Sequence, residues 1–207
     1  MNTPDKTIAL IDEFLRVVDL IYGVYLDSTK GFFLGLKQLI ETQERSIEVN
    51  KDSTPELATI EYHDSLHFYY GKGEPGKPGS VILHKCTQGE LKRRNEKGGD
   101  NYKFIGNMCL VSIYQYWEDH YRSAIAESLQ LEKEEILISV MGDLRFFRRS
   151  IIHHKGIALA EVEKCELLKW FKTNDEVFID ESKMEDIIFH IQKGVVDFIK
   201  QLDSSPA

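Results

Sequence analysis

At 207 residues with 42% hydrophobic side chains, the chain can build a substantial core in one domain, which excludes disorder over most of its length. A net charge of −8 excludes a surface that coats nucleic acid indiscriminately, while leaving room for a local basic cleft. No apolar run approaches the roughly 18 residues of a membrane span, and the N-terminus is acidic early where a leader would be basic, so a cytoplasmic protein without membrane contact is expected.

Thr3-Pro4-Asp5 reads as cap, N1 proline and early acid, opening a helix with Ile8, Ile11, Phe14, Leu15, Val18 and Ile21 on its apolar face and an end near Leu26. Asp27-Ser28 offers a new cap, and Phe32, Phe33, Leu36, Leu39 and Ile40 continue a second stripe, so the two pieces form either one kinked helix or a hairpin. Six basic against ten acidic residues in positions 1 to 60 mark a solvated face.

Positions 50 to 100 are irregular. A short helical stretch is expected at Pro55 to Asp64, then a strand at Leu66 to Tyr70, a loop over GKGEPGKPGS, and a return strand through Val81-Ile82-Leu83. His63 and His67 stand four apart, but HExxH is absent and a turn or surface role outweighs metal binding. Cys86, Cys109 and Cys165 are far apart with no CxxC spacing, so free thiols are expected. Thr87 to Lys97 reads as a short capped helix. It sits within residues 85 to 103, where six basic residues face three acids and can form either an exposed loop or part of a phosphate-tracking groove. No GxxxxGK[ST] motif supports nucleotide-phosphate binding.

A long helix is predicted from Tyr102 to near Leu129, and it carries Glu118, Asp119 and Arg122. Glu132 to Glu135 should start the next helix, which runs through Ile136, Leu137, Val140, Leu144 and Phe147. A further helix is predicted over Ile157 to Phe171, then an extended link at Val177-Phe178-Ile179, and a last helix capped by Ser182 that ends in a frayed SSPA tail. The expected fold is a mainly all-α, up-and-down helical bundle. It forms a single domain over 1–207, with core helices in 101–202 and an irregular, hairpin-containing insert at about 50–100.

The stretch that carries chemistry is Met141 to Gly156, MGDLRFFRRSIIHHKG. Leu144, Phe147, Ile151 and Ile152 recur at helical spacing, while Arg145, Arg148 and Arg149 project elsewhere and His153-His154-Lys155 precede a glycine stop. Residues 141 to 160 hold four Lys/Arg against one acid. Cations in last turns are favoured by the helix dipole, yet clustered like charges repel, and arginine and histidine are the side chains suited to phosphate and proton transfer.

Arg148-Arg149-Ser150-Ile151-Ile152-His153 resembles the R-x4-6-H motif of HEPN-domain proteins, and the likeness extends over roughly residues 101 to 202. Arg149 stands where HEPN relatives often have Asn, and Arg149 with His154 satisfies the same spacing. The resemblance implies a metal-independent endoribonuclease with Arg148 and His153 as catalytic residues and no cofactor, cutting RNA by 2′-hydroxyl attack to leave a 2′,3′-cyclic phosphate. Arg149, His154, Arg145, Glu118, Asp119 and Arg122 are its supporting candidates. It also implies a homodimer with facing motifs, an antitoxin or defence partner, and a setting in phage defence or toxin–antitoxin systems. In an unbroken helix residues five apart point roughly 140° from each other, so Arg148 and His153 converge only through a distorted helix or a second subunit. The competing reading is a non-catalytic HEPN module that binds a partner protein or RNA.

Overall fold

The chain, described for residues 3–74 and 76–204 in a computed structural model, is mainly helical with one two-stranded antiparallel sheet. The first helix, α1, runs unbroken over Thr3–Asn50. The expected boundary at Asp27-Ser28 does not form, because Asp and Ser cost only a few tenths of a kcal/mol inside a helix and no proline stops the chain. Thr3, the expected cap, is the first described residue of α1 with its side chain left undescribed, and the tail residues 205–207 lie outside the described residues. Contacts divide the chain into two compact units.

The unit formed by Ser28–Tyr102 contains the second part of α1, then α2 (Ile60–Ser65), β1 (His67–Lys72), β2 (Val81–Thr87) and α3 (Gln88–Asn95). Thr87 caps α3 reciprocally: its hydroxyl accepts from Glu90 N at 3.1 Å while the Glu90 carboxylate accepts from Thr87 N at 2.7 Å. Inside the unit the buried Gln43 donates to Asp64 and Gln88, and Lys92 pairs with Asp64 at 2.5 Å. The predicted hairpin forms, with His67 opposite Thr87 and a register shift between Tyr70 and Gly71.

The other unit joins the first part of α1 to everything from Lys103 onward. It holds most of α4 (Asp100–Tyr116), a π-helical turn (Trp117–Tyr121), α5 (Arg122–Leu129), α6 (Ser139–His153) and α7 (Glu181–Ser204). Its core joins Phe14 to Trp117 and Tyr121, each with ring centroids at 5.3 Å, and continues through Leu110, Ile113, Leu144, Phe147, Ile187 and Ile191. At Gly106 an added Cβ would overlap the Ile179 carbonyl oxygen, so only glycine admits this approach of backbone to α4. Asn107 fixes the same segment, donating to Val177 O at 2.9 Å and accepting from Ile179 N at 3.2 Å.

Three expectations in this unit are corrected. The motif helix does not start at Glu132: a 3-10 turn at Lys133–Glu135 is followed by extended chain, and α6 opens at Ser139. Ile136 and Ile138 are buried around exposed Leu137, and that period-two alternation of β-branched residues overrides the acidic start. The predicted helix over Ile157 to Phe171 reduces to a 3-10 turn at Ala160–Lys164. The amides of Glu166, Leu167 and Leu168 bond the Asp143 carboxylate, and Ala158 exchanges backbone bonds with Asn174 and Asp175, so these groups are taken from any helical ladder. Finally, Asp180 rather than Ser182 caps α7, accepting from Lys183 N at 3.0 Å.

Among the described residues no helix is long and apolar enough to cross a membrane, and no group of three or more His, Cys, Asp or Glu side chains could hold a metal. All three cysteines are free and buried. Burial and the neighbouring Asp143 push the Cys165 thiol up to about 12.

Candidate functional site

The seat of α6 is built by Val140, Met141, Leu144, Phe147 and Ile151, all buried, with Trp170 stacked on Phe147 at 5.7 Å. This fixes the helix in rotation and decides where each polar residue of the motif points. Ser150, wholly buried, is structural: it donates to Phe146 O and accepts from Leu159 N, each at 3.1 Å. The helix stops as its sequence predicts. Ser150 O accepts from both His154 N and Gly156 N, while Lys155 (φ 55°) and Gly156 (φ 79°) take left-handed conformations.

On one flank the arginines gather around Tyr114 of α4. The Arg148 guanidinium lies 5.7 Å from the Tyr114 ring centroid, and its Nε is buried without a hydrogen-bond partner among the described residues. Arg145 lies over Phe146 at 5.2 Å and lines a cavity of about 360 Å³ with Tyr114, Glu118, Arg122, Lys164 and Glu166. Among the described residues neither Arg145 nor Arg148 has an ion-pair partner. Burial, and next the charge of Glu118, raise the Tyr114 hydroxyl pKa, while Arg145, Arg148 and Arg122 pull it back.

Glu118 is held in a shared pair, accepting from Arg122 at 3.1 Å and from Lys133 at 2.9 Å, while Arg122 Nε also donates to Ile136 O. Burial alone would raise the Glu118 carboxyl, but hydrogen bonds from Lys133 and Arg122 outweigh it and hold its pKa below the usual carboxylate range. A depressed folded pKa adds stability that is complete above the unfolded carboxylate pKa and is lost as pH falls through the folded value. Glu118→Gln should therefore melt below the parent at neutral pH, with the gap closing under about pH 4 as the parent's own carboxylate protonates. Thermal melts across pH check this.

The remaining sequence candidates lie elsewhere. Arg149 is on the neighbouring flank of α6, paired with Glu161 at 2.7 Å. His153 and His154 are exposed at the helix end. Asp119 belongs to a different depression, lined by Glu13, Tyr116 and His120, and accepts from Gln115. α6 stays regular from Arg148 through His153, so the helix distortion that would bring the two together within one chain does not occur. The structure thus joins Arg145, Arg148, Glu118 and Arg122, and leaves Arg149, Asp119, His153 and His154 apart from them. Tyr114, Lys133 and Lys164 complete the cluster. The available signal for Tyr114 was its place one turn before Glu118, obscured by the aromatic run around it.

Comparison with family models, curated proteins and solved structures finds no match.

Proposed function

We propose that this chain is a metal-independent endoribonuclease of the HEPN kind, acting as a homodimer in which Arg148 of one copy works with His153 of the other. The observation that carries the reading is an unpaired guanidinium: Arg148 is part-buried, placed over Tyr114, beside Arg145 and without a carboxylate partner among the described residues. A part-buried guanidinium left unpaired is costly unless an anion completes it, and a phosphodiester matches its fork. RNA supplies the nucleophile. The exposed His153 imidazole accepts the 2′-hydroxyl proton as the oxygen attacks phosphorus. Arg148 holds the phosphoryl oxygens as charge builds. The P–O5′ bond breaks, and the departing oxygen takes a proton from water or from His154. A second copy is required because roughly 140° of helix rotation separates Arg148 from His153. By the same resemblance, the setting is defence or toxin–antitoxin biology with a restraining partner protein.

A second reading, a binding module without catalysis, draws support from Arg149. The residue that replaces the frequent Asn of the motif is spent on a local ion pair with Glu161. Cleavage of total RNA in EDTA, with product ends mapped, separates the two. Cyclic phosphate and 5′-hydroxyl ends support the ribonuclease, and RNA left intact supports the binding module.

A further inference from the structure

The β1–β2 hairpin exposes more aromatic surface than its own fold uses. All six residues of β1 are exposed, with Phe68 at 36%, Tyr69 at 41% and Tyr70 at 45%, so a ribbon of two strands carries its rings on uncovered faces. Isolated hairpins are marginally stable, and a large exposed apolar surface marks a contact site.

The rings are ordered. On one face Phe68 contacts Tyr70 at 5.1 Å, Tyr70 contacts His84 at 5.8 Å, and Arg94 reaches His84 Nε2 at 2.9 Å. On the other face His67 and Tyr69 lie 5.9 Å apart, and Lys85 stands opposite Tyr69 in register. Neither strand contains an acid: HFYYGK and VILHKCT carry Lys72 and Lys85 with two histidines. The last turn of α3 adds Lys92, Arg93 and Arg94, and Arg94 Nε is buried without a partner among the described residues. From His67 to Arg94 six Lys/Arg face two acids, in a chain whose net charge is −8.

We infer that this hairpin is a binding platform for single-stranded RNA, with bases stacked on Phe68 and Tyr70 of one face, a phosphate held by Arg94 beside them, and Lys72 and Lys85 adding to the positive field of the ribbon. The inference rests on the reading that the chain acts on RNA. Rings interleaved with cations on a strand surface are what an unpaired strand needs, because every base has a π-face and every link a charge. A partner chosen for apolar area alone gives no reason to exclude acids from both strands. Pairing of two such hairpins across a dimer sets like charges against each other. The exposed Val81, Ile82 and Leu83 extend the apolar edge beside the rings.

The test is fluorescence anisotropy with a short fluorescein-labelled single-stranded RNA of mixed sequence, on full-length protein carrying His153→Ala so that the probe survives. Phe68→Ala with Tyr70→Ala should weaken binding at least about tenfold, while Tyr70→Phe keeps the ring and stays within about twofold. Lys72→Glu with Lys85→Glu should flatten the salt dependence, and duplex RNA should bind more weakly than the single strand. All these side chains are exposed, so melting temperatures confirm that the variants fold. Unchanged affinity in the ring variants overturns the inference, as does a change in oligomeric mass without a change in RNA affinity, which assigns the hairpin to contact between copies. Absence of binding by the parent overturns it too. Binding through the hairpin without cleavage by the wild type keeps this inference and removes the ribonuclease reading; cleavage indifferent to the ring variants does the reverse.

Discussion

Arg148→Ala and His153→Ala should each lower RNA cleavage by at least about 100-fold, the range seen when one charge-stabilising donor or one proton-transfer group is removed. Both losses should appear at saturating RNA, because in the proposed mechanism each group acts on the transition state rather than on the bound ground state. Arg148→Lys should recover little, since an ammonium keeps the charge but neither forks to two phosphate oxygens nor covers the Tyr114 ring in the same way. His153 is exposed, so its replacement should leave the melting temperature unchanged. Two controls sharpen the result. Arg149→Ala breaks an ion pair whose arginine is 47% exposed and should cost under about 1 kcal/mol with activity largely retained. His154→Ala separates the two histidines: retained activity fixes His153 as the proton acceptor, whereas loss equal to that of His153→Ala assigns both a part. Initial rates at saturating RNA provide the readout.

The largest effect on stability should come from Asp143. Its carboxylate is 2% exposed and accepts from Glu166 N at 2.9 Å and from Leu167 N and Leu168 N at 2.8 Å. Asp143→Ala leaves three amides without their acceptor beneath α6, and the expected cost is about 3–5 kcal/mol. Asp143→Asn keeps one carbonyl oxygen and should fall between the variant and the parent. The segment it holds carries buried Leu168 and leads to Trp170 and Phe171, both packed on Phe147. Loosening it therefore removes the surface that fixes the rotation of α6 and, with it, the direction of Arg148. Chemical denaturation measures the stability, and the residual cleavage of the folded fraction shows whether the site is displaced as well.

How legible these features were in the sequence depended on whether local signals were opposed by distant ones. The hairpin, the Thr87 cap and the Gly156 stop follow from neighbouring residues alone, and each forms. The segment after Gly156 misleads because Leu159, Val162, Leu167, Leu168 and Trp170 read as the apolar stripe of a helix, although only Val162 and Leu168 of them are buried. Its amides, however, are claimed by a carboxylate more than twenty residues earlier. Periodicity carries no information about such a competitor. At the site, the chemical types were legible and their grouping was not. Arg145 and Arg148 share a flank, as three-residue spacing requires, and Glu118 with Arg122 pairs one turn apart. Asp119, adjacent in sequence to Glu118, points into another depression from within the π-helical turn. Tyr114 is both packed in the core and the ring on which Arg148 rests.

In the proposed dimer the working site takes Arg148 from one copy and His153 from another. Subunit mixing tests it most directly: Arg148→Ala and His153→Ala proteins, each inactive alone, are unfolded together, refolded and assayed for RNA cleavage. Random assembly of a symmetric dimer gives heterodimers with one intact site of two, so about a quarter of wild-type activity should return. A mixture as inactive as its components, from a sample shown by mass to contain heterodimers, would contradict the shared site.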